Sequence, residues 1–349
     1  FATTLAVGIV ASMFTALVIT RVIMKLLYNF GFTDPKWYGK TVHKKTFNVL
    51  GIRKWCFIGS IVVIVAGFIG MGAFSAAGKK TLNYSLEFVG GTTTTFTFDK
   101  EYTQAEIEND MIPIIKTAAN VTEVQQQKVQ NSTKVSFKTK DLTLDQREAM
   151  ENAVTAKYPV QDGTIVESDT ISSSVSATTK RDAFVSVIIA TICMLIYIWF
   201  RFRDIRFAAA AVIALIHDVL IVLTFYALAR VSVGTTFIAC MLTIVGYSIN
   251  GTIIIFDRIR EKLKSANAKT DITELVNSSI TYTFTRNVNT TLTTLIMLVC
   301  LLIFGVASVK EFAAPLIVGI LAGAYSSICI TSALWYIMGG KKRGIVNEQ

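Results

Sequence analysis

The chain has 349 residues, a formal net charge of +10, 52% hydrophobic residues and only 17% charged residues, with a mean hydropathy of +0.52. Soluble domains carry about 25% charged residues, so the composition excludes an ordinary soluble domain and indicates a membrane protein. A helix needs about 20 apolar residues to cross a bilayer. Runs of that kind predict seven spans, near residues 2–24, 55–77, 183–200, 207–229, 233–256, 288–308 and 312–338.

The first predicted span begins at the first residue of the chain, without an initiator Met or a charged segment before it. We interpret this as the start of a fragment or processed piece of a longer protein, and not as a signal peptide. Residues 1–11 also match residues 312–322 at seven positions in one register. Two apolar spans can match by chance. If the repeat is real, the first span closes one six-span bundle and the other six form a second.

The basic residues predict the orientation, because short cytoplasmic loops carry the excess of Lys and Arg. Four basic clusters fall on one side of the predicted membrane, at residues 25–54, 201–206, 258–286 and 341–343. Segment 79–180 then lies outside, and its eleven basic and fourteen acidic residues give it a net charge of −3. The net positive charge of the chain therefore reflects the orientation of its spans in the membrane. Acidic lipid head groups are the expected partners of the clusters, and nucleic acid is not expected.

The exterior segment, at residues 78–181, reads as a compact α+β domain. Strand-like runs at 84–98, 133–138 and 163–168 alternate with helical patterns at 102–119 and 144–158. The order β-α-β-α-β is compatible with a ferredoxin-like layer of helices on an antiparallel sheet. None of the five cysteines lies in this segment, so a disulfide scaffold is not expected.

A glycine pair lies in the first strand-like run of this domain. Gly90 and Gly91 follow Glu87 and are either a phosphate loop or a simple turn. We favour the turn, because no Lys follows the pair and no helix opens there.

The strongest functional signal is an ionisable pair deep in the fourth span. His217 and Asp218 lie far from both ends of an otherwise apolar run. A charged side chain at the bilayer centre costs roughly 2.5 to 3.5 kcal/mol on insertion scales, so it usually marks an ion or proton pathway. The alternative is a polar pair that only holds helices together, a role that Ser, Thr or Asn more often fills.

Other polar residues of the membrane region fall at a similar depth. Ser248 and Asn250 lie in the fifth span, and Thr290 and Thr294 belong to a polar stripe on the sixth, together with Asn287 and Thr291. A carboxylate, an imidazole, an amide and several hydroxyls in one layer suit a proton relay, although interhelical hydrogen bonding alone would need the same residues.

A cation follows the fifth span. Arg258 either extends to lipid phosphates or reaches back toward the bundle, where its charge would favour the ionised form of Asp218.

At these residues the chain resembles the SecF family of protein-export membrane subunits. The segments that carry the resemblance are ALIHD at 214–218, GYSIN at 246–250, FDRIRE at 256–261, RNVNTTLTT at 286–294 and LEFVGGT at 86–92. Residues 1–21 resemble the last span of the SecD family. Together the segments resemble the C-terminal part of a fused SecDF protein, cut before the end of its SecD half.

The resemblance implies a polytopic α-helical membrane protein of the resistance-nodulation-division (RND) superfamily, in the bacterial cytoplasmic membrane. Such a protein works with a SecD half, the SecYEG channel and SecA, and uses the proton gradient to help draw unfolded preproteins across. It is not an enzyme and needs no metal or cofactor. Carried over by motif, Asp218 is the titrating carboxylate and Arg258 its charged regulator.

Two positions depart from the family pattern. Gly251 stands where the family motif usually has a second acid after Asn250, so a relay through that acid is not expected here. Glu87 stands where Asp is usual, which is a milder change. The SecD half supplies its own intramembrane carboxylate, so this chain alone is not expected to be a competent pump.

The expected organisation has six parts: a SecD-like span (1–28), a basic cytoplasmic linker (29–54), a SecF-like span (55–77), the exterior domain (78–181), five further spans (182–340) and a cytoplasmic tail (341–349). The alternatives are an RND exporter of small molecules or lipids, for which the exterior domain offers little room, and a structural subunit. An intramembrane aspartyl protease needs two facing carboxylates, and only Asp218 lies deep in a span.

Overall fold

The computed structural model describes residues 2–34, 46–78, 80–128, 133–161, 166–202, 204–267 and 270–340. Seven helices in these ranges are long and apolar enough to cross a membrane, which confirms the predicted number. They are α1 (Ala2–Phe14, a π-helical turn Thr15–Ile19 and Thr20–Asn29), α2 (Val49–Ala76), α6 (Ser173–Phe202), α7 (Ile205–Leu228), α8 (Thr235–Lys264), α9 (Ile272–Phe304) and α10 (Ala307–Tyr325, Ser326–Thr331, Ser332–Trp335 and Tyr336–Gly340). The helices α3 to α5 belong to the exterior domain. Nine residues of the predicted cytoplasmic basic clusters lie outside the described residues, namely Lys36, Lys40, Lys44, Lys45, Arg203, Lys269, Lys341, Lys342 and Arg343.

Side-chain caps fix where three of the membrane helices begin. Asn48 accepts a hydrogen bond from the Gly51 amide at the start of α2, and Asp204 and Asp271 accept from amides in the first turns of α7 and α9. Such caps satisfy amides that have no partner within the helix and are worth about 1 kcal/mol each. The N-cap of α8 is Gly234, which has no side chain to do this.

The sixth span differs from its prediction at both ends. Helix α9 begins at Ile272, about four turns before the predicted residue 288, and ends at Phe304, before Gly305. Its first half is rich in Thr, Ser and Asn, so it lacks an apolar signal, yet residues such as Asn277 and Ser279 are buried against the bundle. Arg286, which was placed in a cytoplasmic loop, therefore lies inside this helix.

Helix α7 is the centre of the membrane bundle. It packs against α2, α6, α8 and α10, and a larger share of its apolar window is buried than in any other span. Its small residues Ala210, Ala211 and Ala214 are almost fully buried. In contrast, the apolar window of α1 contains no buried residue. Helix α1 therefore presents its apolar side chains to whatever surrounds the chain, and not to the bundle described here.

The exterior domain has a split β-α-β fold. Its elements are β1 (Asn83–Tyr84), α3 (Leu86–Val89), β2 (Gly91–Thr97), α4 (Gln104–Glu106, Ile107–Met111 and Ile112–Ala118), β3 (Gln125–Lys128), β4 (Lys134–Thr139), α5 (Leu144–Thr155) and β5 (Glu167–Ile171). The sheet order is β3-β4-β2-β5, and every pair is antiparallel. With two helices between the strands, this is the predicted ferredoxin-like arrangement.

Three details of the predicted domain were wrong. The single strand at 84–98 is interrupted by α3, and Gly90, between α3 and β2, has a φ of +76° that is outside the strand region. Strand β3, which is rich in Gln, was missed. The last strand, Glu167–Ile171, extends three residues beyond the predicted end at 168, and the predicted residues 163–165 lie outside the described part of the chain.

One face of the sheet forms the core of this domain. Phe96, Phe98 and Phe137 alternate with outward threonines and serine, and they pack with Ile107 and Met150 from the two helices, all fully buried. The period-2 pattern of each strand is the reason, since alternate side chains point to opposite faces. The other face of the sheet is polar and carries Thr, Ser, Gln and Lys.

A short second sheet joins the domain to the bundle. Strand β1 pairs in parallel with β6 (Ser232–Val233), which precedes α8. The Arg230 guanidinium donates to the carbonyls of Lys80 and Thr81 at 2.6 and 3.3 Å, and the Asn83 amide donates to the Arg230 carbonyl at 3.0 Å. The entry to the exterior domain is therefore held against the turn between α7 and α8.

Candidate functional site

Asp218 is the centre of a buried polar group in the membrane bundle. It lies in the middle of α7 and has no exposed surface. Its Oδ2 accepts hydrogen bonds from the hydroxyls of Ser248 on α8, at 2.5 Å, and Ser326 on α10, at 2.8 Å. Its Oδ1 lies 2.9 Å from Nδ1 of His217. Both carboxylate oxygens are therefore satisfied, as a buried carboxylate requires.

The imidazole of His217 has one partner and one unsatisfied nitrogen. Nδ1 pairs with Asp218, whereas Nε2 is buried and has no hydrogen-bond partner among the described residues. The ring lies 6.1 Å from that of Tyr325, between centroids. Because the 2.9 Å contact joins two groups that can each hold a proton, one proton can reside on either side of it.

Small residues allow the helices of the site to approach closely. A Cβ built on Gly319 would lie 2.2 Å from Ile244, and one on Gly323 would lie 3.0 Å from Ser248. Gly319, Gly323 and Ser327 recur every four residues, which is the small-residue pattern of close membrane-helix packing. This contact between α8 and α10 brings Ser248 and Ser326 to the same carboxylate oxygen.

Ser326 was missed by the sequence reasoning. It opens a π-helical turn, Ser326–Thr331, and such turns are frequent at functional sites. The available signal was the Ser326-Ser327 pair inside an apolar span. Nothing in the sequence indicates that α10 rather than α9 lies against Asp218, because that choice depends on helix packing.

A second polar group lies beside the first, around a cavity of about 20 Å³. Asn250, Thr290 and Asn287 line it, and the Nδ2 of Asn287 is buried with no hydrogen-bond partner in the part of the chain that the structure describes. Ser327, which also lines the cavity, donates to the backbone carbonyl of Ser248 at 3.2 Å. The two polar groups therefore meet at Ser248 and Ser327, but Asn250 and Thr290 have no hydrogen bond to Asp218.

The threonine stripe and Gly251 have local roles in this arrangement. The hydroxyls of Thr290 and Thr294 donate to carbonyls of their own helix, at 2.8 and 3.0 Å. A Cβ on Gly251 would lie 2.9 Å from Oγ of Ser327, so the glycine leaves space for that hydroxyl. An aspartate at 251 would displace Ser327.

Arg258 does not reach back to Asp218. Its guanidinium donates to Glu261 at 2.6 Å and lies 3.9 Å from the centroid of the Tyr282 ring. The expectation that it favours the ionised form of Asp218 is therefore not supported by its contacts. A partner one turn away on the same helix satisfies the cation at lower cost than the bundle interior.

The predicted exterior motif connects the exterior domain to α8. Oε2 of Glu87 accepts hydrogen bonds from both the amide and the hydroxyl of Thr235, each at 2.7 Å. Thr235 is the first residue of α8, so Glu87 supplies the cap that Gly234 lacks, and its charge complements the positive end of the helix. A Cβ on Gly234 would lie 2.4 Å from Ser85 and 2.7 Å from Glu87.

Gly90 connects α3 to β2, and Gly91 is the first residue of β2; both have a positive φ. A Cβ on Gly91 would lie 2.1 Å from the carbonyl oxygen of Thr139 on the neighbouring strand. The pair therefore ends α3 and allows β2 to approach β4.

We expect Gly91→Ala to destabilise the exterior domain by about 2 kcal/mol or more, because it combines an unfavourable φ with a backbone clash. Hydrogen exchange of the β2 and β4 amides in the full chain measures this. Gly78→Ala is the control, since Gly78 has a φ of +72° but no atom within 4 Å of the added Cβ. Equal protection in the two variants would contradict the role assigned to the close approach.

The membrane bundle and the Asp218 group are features of one class of membrane protein. A carboxylate buried between three membrane helices, with hydroxyls and an imidazole as its partners, is typical of transporters that move ions or protons. The chain is thus a multi-pass membrane protein with a small ferredoxin-like exterior domain and a buried polar group of this kind.

Comparison with known proteins narrows this class. Residues 150–341 match the family described as protein export membrane protein SecD/SecF, C-terminal. The chain is 32% identical to the protein translocase subunit SecDF of Bacillus subtilis over 98% of its own length and 47% of that protein. It is 35% identical to the protein translocase subunit SecF of Alicyclobacillus acidocaldarius, covering 84% of this chain and 92% of that protein. The chain belongs to the SecD/SecF family of protein-export membrane proteins, which are multi-pass proteins of the cytoplasmic membrane.

Solved structures agree with this assignment. The crystal structure of SecDF, a translocon-associated membrane protein from Thermus thermophilus, matches with a TM-score of 0.81 and 31% identity over 98% of this chain and 45% of that one. A crystal structure of SecDF in a super-membrane-facing form matches with a TM-score of 0.67 and 30% identity, over the same shares of the two chains. The chain spans about half the length of the SecDF relatives it matches.

Proposed function

We propose that this chain is the SecF-like part of a protein-export subunit that uses the proton gradient to promote the passage of unfolded preproteins across the cytoplasmic membrane. It works with a SecD half, beside the SecYEG channel and SecA. The observation that carries the proposal is the Asp218 group, because a titratable pair buried at this depth serves proton movement better than helix association.

Proton transfer at Asp218 changes the bonds between three helices. When the carboxylate is ionised, Oδ2 accepts from Ser248 and Ser326 and so links α7 to α8 and α10. A protonated carboxyl becomes a hydrogen-bond donor and accepts less well, so those bonds weaken or rearrange. Each proton taken up or released therefore alters the balance between two packings of α8 and α10.

The small cavity beside Asn250 supplies the next step of the path. A space of about 20 Å³ accommodates one water molecule, and the amides and hydroxyls around it offer the two to four partners that a buried water needs. Ser327 donates to the backbone carbonyl of Ser248, whose hydroxyl donates to Asp218, so this water site lies beside the Asp218 group. In this scheme Thr290 lines the path, while Thr294 and Arg258 lie outside it.

The exterior domain responds through Glu87. A movement of α8 reaches its first residue, Thr235, which holds Glu87 by two hydrogen bonds, and the paired strands β1 and β6 lie beside this contact.

A SecD half would supply the second helix bundle of the transporter. Helix α1 has no buried residue in its apolar window and so is suited to pack in a second bundle. A partner bundle would add its own carboxylate, and paired-repeat transporters place their working site between the halves. Acidic lipids next to the basic cytoplasmic segments complete the set of partners.

The partners of Asp218 do not suit an aspartyl protease. An aspartyl protease needs a second carboxylate facing Asp218, and within the described ranges its hydrogen-bond partners are two serines and a histidine. These groups suit proton transfer without a bond-breaking step.

Preprotein translocation into inverted membrane vesicles tests the function. Vesicles that contain the full-length parent protein are compared with vesicles that lack it, with and without an ionophore that collapses the proton gradient. We expect the protein-dependent part of translocation to disappear with the gradient. A protein-dependent part that persists after collapse of the gradient would indicate a structural subunit.

A further inference from the structure

A cavity that the proton site does not use lies between the segment that follows α2 and the exterior sheet. Its volume is about 560 Å³, within the range of cavities that bind small ligands. One wall is the segment that leaves α2, with Lys80, Tyr84 and Ser85, and the opposite wall is the end of β4, with Lys138 and Lys140. No sequence pattern predicts a cavity of this size.

The position of this cavity is close to the outer surface of the membrane. Lys80 follows the last residue of α2, Ala76, by four positions, and Arg230 holds its carbonyl against the turn that follows α7. Both helices cross the membrane and end on this side. The cavity therefore lies at the level where lipid head groups meet water.

The charge of the lining differs from that of the domain around it. Segment 79–180 has a net charge of −3, yet three lysines line the cavity against two acids, Glu123 and Asp141. Lys138 has no carboxylate at ion-pair distance in the described chain. Burial lowers the pKa of Lys138, and only the more distant Glu311 partly offsets this effect.

Two further polar groups near the cavity lack partners. Oγ of Ser85 and Oγ1 of Thr93 are buried and make no hydrogen bond within the described residues. Thr93 is the cross-strand neighbour of Lys138, on the same polar face of the sheet. More than 90% of buried polar groups in native proteins have a partner, so two buried hydroxyls without one, beside the Lys138 ammonium, point to a ligand rich in acceptor oxygens.

We propose that this cavity binds the phosphate of an anionic lipid head group from the outer leaflet, with Lys80, Lys138 and Lys140 as its cationic contacts. A phosphate supplies the acceptors that the lysines and the Ser85 hydroxyl need. Tyr84 lies at the depth where aromatic side chains meet head groups, which suits the same ligand. The site is independent of proton movement at Asp218 and gives the exterior domain a lipid contact on the membrane side.

Retention of lipid by the purified full-length chain tests this proposal. The protein is exchanged into detergent with phosphatidylglycerol or phosphatidylcholine, and bound lipid is counted by native mass spectrometry. We expect preferential retention of phosphatidylglycerol, a several-fold loss in Lys138→Gln, and recovery in Lys138→Arg, which keeps the charge. Lys116→Gln is the matched control, because Lys116 is exposed on α4, on the opposite side of the sheet.

Three results would overturn the proposal. The first is equal retention of phosphatidylglycerol by Lys138→Gln and the wild type. The second is equal retention of the two lipids by the wild type. The third is a photo-crosslinker at position 138 that captures an exported polypeptide and no lipid, which would assign the cavity to the preprotein.

Discussion

Asp218→Asn is expected to reduce gradient-dependent translocation to the level of vesicles that lack the protein, while the variant remains inserted and abundant. The amide oxygen still accepts from Ser248 and Ser326, and the amide nitrogen donates to Nδ1 of His217, so the buried hydrogen bonds are preserved. The cost in stability is therefore about 1 kcal/mol or less. An amide does not take up a proton in this pH range, so the proton step is lost.

The measurement is preprotein translocation in inverted vesicles, normalised to the amount of protein in the membrane. Asp257→Asn is the matched control: it makes the same chemical change on α8, at a carboxylate that pairs with Arg201 at 2.9 Å and is partly exposed. We expect this control to keep gradient-dependent translocation. If Asp218→Asn also keeps it, His217 and Asp218 serve only to hold the helices together.

Glu87→Gln is expected to separate the exterior domain from the proton site. The substitution keeps the size of the side chain but removes the charge that caps α8 at Thr235, which costs about 1 kcal/mol locally. Asp218 and its partners are untouched. We therefore expect a loss of most gradient-dependent translocation, without loss of insertion, because helix movement no longer reaches the exterior domain efficiently.

The control for this variant lies in the same domain. Glu106 accepts hydrogen bonds from the amide and the hydroxyl of Thr103, each at 2.7 Å, so it makes the same contacts as Glu87 but caps α4 inside the domain. If lower stability of the domain were the cause, Glu106→Gln would reduce translocation as much as Glu87→Gln. Hydrogen exchange of the first α8 amides provides a second measurement, because it should increase only in Glu87→Gln.

The two sets of variants distinguish the parts of the proposal. Loss of activity in Asp218→Asn with normal activity in Glu87→Gln would support the proton site and reject the proposed connection through α8. Normal activity in Asp218→Asn with loss of activity in Glu87→Gln would support a structural role of Glu87 and reject the proposed role of Asp218 in proton movement. Neither result bears on the lipid cavity, which is tested by binding.

Composition and periodicity were enough to predict the seven helices and the class of the exterior domain. Apolar runs longer than about 20 residues have few alternatives to a membrane helix, and the alternation of Phe96, Phe98 and Phe137 with polar residues requires a half-buried sheet. The prediction weakened where the local signal was polar. The first half of α9 and strand β3 were missed because their residues are held by neighbours and not by their own hydrophobicity.

The apolar run around His217 and Asp218 is enough to place them deep in a membrane span, since insertion of a charge there is costly and few arrangements tolerate it. Their partners depend on how the helices pack. Ser326 and Ser248 reach Asp218 because glycines on α10 allow close helix contact, and Arg258 stays with Glu261 because a local partner is nearer than the bundle interior. The two serine contacts with Asp218 join residues about 30 and 110 positions apart, so they depend on helix packing, which periodicity does not specify.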